Sequence, residues 1–291
     1  PFFLLTLAAL SSGCEKSVDI IPRDALSSPV VEAFIENGQA PVVVLSNSVN
    51  YFNTISPDIL AASFVHDAEI RISNGSLTHR LREYKTPGRD GYDLYYYSID
   101  SSSLLTAFTG EFGGKYNLII RASGKEYTAA TTIPPLTKTI DSLWSEKAPS
   151  SADTGKVKLM ARITDPPAYG NYIRYFTRVN TKPFLPGLVS VFDDQIINGK
   201  TYSIQVDQGV DRNAELDREN FNFFRQGDTI TVKFCNIDKS TFDFWRTLEF
   251  SYSSIGNPFS TPTKVIGNIN GGALGYFGGY AVQYSSLIVP R

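Results

Sequence analysis

The feature that most limits what this chain can fold into is a succession of short β-rich runs, separated by turn residues and with almost no helical period between them. Val30 to Ile35 and Pro41 to Leu45 flank Glu36-Asn37-Gly38-Gln39, a turn composition whose Gly accepts positive φ, and read as a hairpin. Between Ala68 and Ser73, Ile70 and Ile72 alternate with Glu69 and Arg71, the period-two mark of a half-buried strand. Tyr92 to Tyr97 follows, then Lys115 to Arg121 and Gly124 to Ala129 across a Ser-Gly turn. Sixteen Tyr, nineteen Phe and a single Met add the β bias of aromatic residues. Runs spaced this closely favour antiparallel sandwiches over an α/β sheet. The expected fold is therefore mainly β, in two antiparallel sandwich domains.

Thr132-Ile133-Pro134-Pro135-Leu136 marks the expected boundary, because two prolines remove two backbone donors and force extended geometry. One sandwich is assigned to residues 29–135 and the other to 136–291. The second series runs through Ile140 to Trp144, Lys156 to Ile163, Tyr172 to Val179, Leu188 to Phe192 and Asp228 to Phe234. Asp165-Pro166-Pro167 and Asn198-Gly199 supply its turns. One segment breaks the pattern. Phe242, Trp245, Leu248 and Tyr252 recur at helical spacing, which predicts an amphipathic helix near 239–251, with Asp238 or Ser240 as its cap. The glycine-rich stretch from Asn270 to Tyr280 suits bulges or a close backbone approach, and leads into an alternating strand from Ala281 to Val289.

The N-terminal end carries an address. Phe2 to Leu10 is an apolar run within the ~7–15 residues of a secretory leader and short of the ~20 needed to span a bilayer as a helix. Ser11-Ser12-Gly13-Cys14 behind it resembles the lipobox of bacterial lipoproteins, with Ser at position 11 where that pattern prefers Leu. The resemblance implies a leader over 1–13, lipidation at Cys14, and a tether over 14–28 interrupted by Pro22. Cys235 then has no partner within the chain, so the fold is expected to stand without a disulfide. A formal charge of -2 with dispersed charges gives no footprint for nucleic acid.

The residues that carry chemistry are few. There is no G-x-S-x-G elbow, the two histidines are His66 and His79, and Cys235 has no His close in sequence to activate it. The expectation is a protein that is not an enzyme and takes no cofactor. Oxygen ligands alternate between Asp207 and Asp217 as they do in calcium loops, which singles out Asp207, Asp211, Asn213 and Glu215. Arg212 stands where an EF-hand needs Gly and Arg218 where it needs Glu, so a solvated loop is the alternative. Aromatics on loops supply contact area for a ligand at low entropic cost, and Tyr51, Phe52, Phe259, Tyr276 and Phe277 are the candidates.

Several motifs, taken together and in order, make the chain similar to the domain-of-unknown-function family 4249, lipoproteins of Bacteroidota. They are Cys14-Glu15-Lys16, Ile133-Pro134-Pro135 with Ile140-Asp141-Ser142-Leu143, Asp165-Pro166-Pro167, Phe192-Asp193-Asp194, Asn257-Pro258-Phe259-Ser260 and Gly272 to Phe277. The resemblance implies an outer-membrane lipoprotein encoded beside a TonB-dependent receptor of the SusC type, with no assigned reaction and no mapped site. The N-terminal half is also similar to immunoglobulin-like or prealbumin-like modules, a likeness of fold alone. Three functions are carried forward: a non-enzymatic accessory to a TonB-dependent transporter in nutrient capture, a structural or adhesive surface protein, and a hydrolase built on carboxylates.

Overall fold

A computed structural model describes residues 27–49, 56–88, 92–149, 155–212, 214, 216–217, 220–255 and 263–291. Cys14, Tyr51, Phe52, Asn213, Glu215 and Phe259 lie outside the described residues. The first half comprises β1 (Pro29–Glu36), β2 (Val42–Asn47), helix α1 (Pro57–Ser63), β3 (Glu69–Ser73), β4 (Thr78–Pro87), β5 (Asp93–Ile99), β6 (Lys115–Ala122) and β7 (Lys125–Thr132). The second comprises β8 (Thr139–Lys147), β9 (Lys156–Thr164), β10 (Tyr172–Val179), β11 (Leu185–Phe192), β12 (Thr201–Val206), β13 (Phe224–Arg225), β14 (Thr229–Ile237), helix α2 (Lys239–Ser253) and β15 (Leu274–Ile288). The fold is mainly β. Among the described residues no helix is long and apolar enough to cross a membrane.

The expected hairpins form where the turn residues allow them. β1 pairs with β2 around Gly38 at φ 72°, and β6 with β7 around Ser123 and Gly124 at φ 50° and 73°. Val31, Ala33, Ile35, Ile70, Ile72, Leu118 and Ile120 point inward from alternate positions of these strands and form a first core. A second core joins Leu159, Ala161 and Ile163 of β9 to Ile230, Val232 and Phe234 of β14, between the small sheet β12-β9-β13, which β8 extends, and the large one. Helix α1 overlaps, at Pro57 and Asp58, the end of the stretch from Asn50 to Asp58 that the sequence reads as a loop. Its start signal is nonetheless written locally, with the Ser56 side chain accepting from the Ile59 N–H and Pro57 and Asp58 in the first turn.

The boundary at residue 135 is not a break between two independent sheets. Strands follow the order β11-β10-β14-β15-β1-β2-β5-β4-β3-β6-β7 in one eleven-stranded sheet, and β15 is the strand that joins its halves. Residues 274–280 of β15 run parallel to β1, while 280–288 run antiparallel to β14. Glycines of β15 lie against the backbone of two neighbours, β1 and β7. A Cβ on Gly275, at φ 104°, would lie 1.9 Å from the Val31 carbonyl oxygen, and one on Gly279 would lie 2.4 Å from that of Thr132. Phe277 and Ala281 face the first core, Tyr276, Tyr280 and Val282 the other side.

That other side is covered by α2. Asp238 caps the helix by accepting from the Thr241 N–H, and its second oxygen accepts from the Thr131 hydroxyl at 2.9 Å and the Thr132 N–H at 3.0 Å. One carboxylate thus starts the helix and ties it to the last strand of the first half. Phe242 is buried and Trp245 and Leu248 are packed against the sheet, as their spacing predicts. Tyr252 is exposed instead, and Phe244 takes the inward place, stacked on Tyr276 at 4.5 Å. The connection between the halves is equally bound. Lys138 is fully buried and meets Asp165 at 2.7 Å, while its backbone exchanges two hydrogen bonds with the Asn236 amide.

Candidate functional site

The segment between β12 and β14 folds back over the end of the second core and encloses a cleft of about 390 Å³, the size of a small-molecule site. Two close approaches hold the segment down. A Cβ on Gly209 would lie 2.1 Å from the Leu185 carbonyl oxygen, and the Gly209 N–H donates to Thr177 Oγ1 at 2.6 Å. The Val210 N–H bonds the Pro186 carbonyl and buries its side chain. Further on, Phe224 pairs opposite Val157 in β9 and is 2% exposed, which brings Arg225 beside Lys156. Val179, Val210 and Phe224 form an apolar floor, with Phe221 and Phe223 beside it.

The polar rim is tied together by its own hydrogen bonds. Asn180, at φ 54°, donates from its amide to Asp228 at 3.0 Å and accepts from the Thr229 N–H at 2.9 Å. The second Asp228 oxygen accepts from the Arg225 N–H. Asn220 donates to Asp217 at 2.8 Å and accepts from Lys156 Nζ. Both carboxylates of the rim are therefore used in holding the walls. Lys156, Lys182 and Arg225 line the same space, so the lining carries three cationic residues against two acidic ones. Such a cleft can hold a small polar or anionic ligand against an aromatic wall.

The profile of one family, described as a domain of unknown function (DUF4249), matches residues 19–286. The chain belongs to this family. The match runs into β15 and takes in all the residues that line the cleft. No curated protein matches the chain.

Within this family member, the residues singled out by sequence are placed unevenly. The run from Asp207 to Asp217 does form a wall of the cleft, through Gln208, Gly209, Val210 and Asp217. Of the four residues of the calcium reading, Asp207 and Asp211 lie among the described residues, while Asn213 and Glu215 do not. Burial pushes the Asp207 carboxyl above its usual range, and Gln205 donates to it at 3.0 Å. Arg212 turns toward α2 and meets Glu249 at 2.9 Å. Among the described residues no three His, Cys, Asp or Glu side chains gather as a metal site.

Tyr276 and Phe277 are corrected from ligand-binding residues to core: they are 3% and 0% exposed, because β15 is covered on both faces. His66 pairs with Glu83 and packs edge-on against Tyr95. His79 is buried, with Nε2 accepting from the Asp100 N–H and Nδ1 bonded to Thr106. Cys235 is buried, and desolvation raises its thiol to about 12, which keeps it protonated and poorly nucleophilic. Lys156, Asn180, Lys182, Asn220 and Arg225 escape sequence reasoning because they come from four separate segments. Only Asn180, followed by the polar turn to Pro183, carries a local mark, that of a left-handed turn residue.

Proposed function

We propose that this chain is a non-enzymatic lipoprotein of the outer membrane, anchored through Cys14, that captures a small ligand in the cleft beneath residues 207–228 for a TonB-dependent receptor. The observation that carries the reading is the cleft itself. It has an aromatic wall, three cationic residues, and carboxylates already committed to its own walls, which is a binding arrangement rather than an acid–base pair. The buried, protonated Cys235 and the two engaged histidines support the same reading. The leader at Phe2–Leu10 and the small residues before Cys14 support the anchor.

The test is purification of the tagged chain from gently solubilised native membranes, with and without crosslinker. Co-purification of a large outer-membrane receptor and a diacyl or triacyl mass on Cys14 are expected. A solo preparation under crosslinking, or an unmodified thiol at that residue, counts against the proposal.

A further inference from the structure

The outer face of the large sheet is covered by α2 over only part of its length, and the open part carries a second arrangement of groups. Strand register sets Arg178, Thr231 and Ser286 in one row across β10, β14 and β15, and Phe176, Lys233 and Tyr284 in the next. The row beyond, Arg174, Cys235 and Val282, is buried under the helix. Phe184, from the turn after β10, folds over this face, with the Arg178 guanidinium 4.6 Å from its ring centroid and Tyr284 at 5.8 Å. Tyr284 is 57% exposed, and the Thr231 and Ser286 hydroxyls bond each other at 3.0 Å.

The cations on this face differ in how they are satisfied. Lys233 is paired with Glu36, and Arg174 donates to Ser190 and Tyr280. Arg178 is half-buried, its Nε is enclosed, and it has no hydrogen bond or carboxylate partner among the described residues. A half-buried guanidinium beside aromatic rings, its Nε enclosed and its terminal nitrogens without a carboxylate partner among the described residues, is complementary to a planar anion that carries an apolar face. We propose that Arg178, Phe184 and Tyr284 form a second binding site, separate from the cleft, for a small organic carboxylate bearing a ring: the carboxylate on the Arg178 fork and the ring against Tyr284.

The test titrates the intact chain with benzoate, using benzamide and inorganic phosphate as comparison probes, and reads affinity by ligand-observed NMR. Benzoate is expected to bind, with benzamide and phosphate much weaker. Arg178→Gln is expected to weaken benzoate by about tenfold or more, and Phe184→Ala, on an exposed turn, to weaken it without affecting the fold. Lys125→Gln, exposed at the start of β7 and part of neither site, is expected to leave it unchanged. Equal benzoate binding by Arg178→Gln and Phe184→Ala, loss in Lys125→Gln alone, phosphate binding as tight as benzoate, or no benzoate binding by the unaltered chain would each overturn the proposal.

Discussion

His79 shows how a single buried side chain makes stability depend on pH. Its Nε2 accepts a backbone N–H, so the folded state needs the neutral ring, and burial holds its pKa below the ordinary histidine value although Asp100 pulls the other way. The unfolded chain therefore binds the proton more readily, and stability falls as pH drops through the unfolded pKa of about 6.5. The melting temperature is expected to decline between about pH 7 and pH 5, with a shallower decline in His79→Gln. An identical pH profile in the two proteins would remove His79 as the cause. Gly275 is a sharper constraint. At φ 104° and 1.9 Å from the Val31 oxygen, a Cβ has no room, and Gly275→Ala is expected to cost about 3 kcal/mol or more in urea unfolding.

At the scale of elements, α2 is held by its two ends. Asp238→Ala removes the cap and both bonds to β7, leaving the Thr132 N–H without its acceptor, and a loss of about 2–4 kcal/mol is expected by chemical denaturation. Near the other end, Glu249 accepts from the Ser190 N–H and hydroxyl and from Arg212. This pins the bulge between Pro186 and Val191, where the register of β11 shifts against β10.

How much of this was legible depends on distance along the chain. The hairpins, the cap at Asp238 and the inward faces of β1, β3 and β6 rest on neighbouring residues, and the alternation of Ile70 and Ile72 reads directly as burial. The helix stripe was legible in Phe242, Trp245 and Leu248. Tyr252 departs from it because it lies beyond the sheet that the stripe packs against, and the Arg212 guanidinium sits 5.6 Å from its ring instead. Tyr276 and Phe277 read equally well as loop aromatics or core, since period two says which residues share a face and not what covers that face. The cleft was legible only as one wall, because its other walls come from strands far apart in sequence.

At the scale of the molecule, the two cores are not separable by cutting at the prolines. Phe277 and Ala281 belong to the first core, so a fragment of residues 27–135 lacks part of its interior and the strand beside β1. Circular dichroism of that fragment is expected to show no cooperative melt, whereas the full chain shows one. The seam carries the fully buried Lys138–Asp165 pair. Breaking it by Lys138→Met leaves an uncompensated carboxylate and is expected to cost about 3–5 kcal/mol, with much of the loss recovered when Asp165→Leu is added. Denaturation of the single and double variants checks both statements.

The parallel partnership of Val30 with Leu274 also sets an order in time. A growing polypeptide must be almost finished before its earliest strand can find that neighbour, and until then the first half stays ajar. In synthesis order this late closure is a built-in delay, which leaves the first half slack until the last strand has been made.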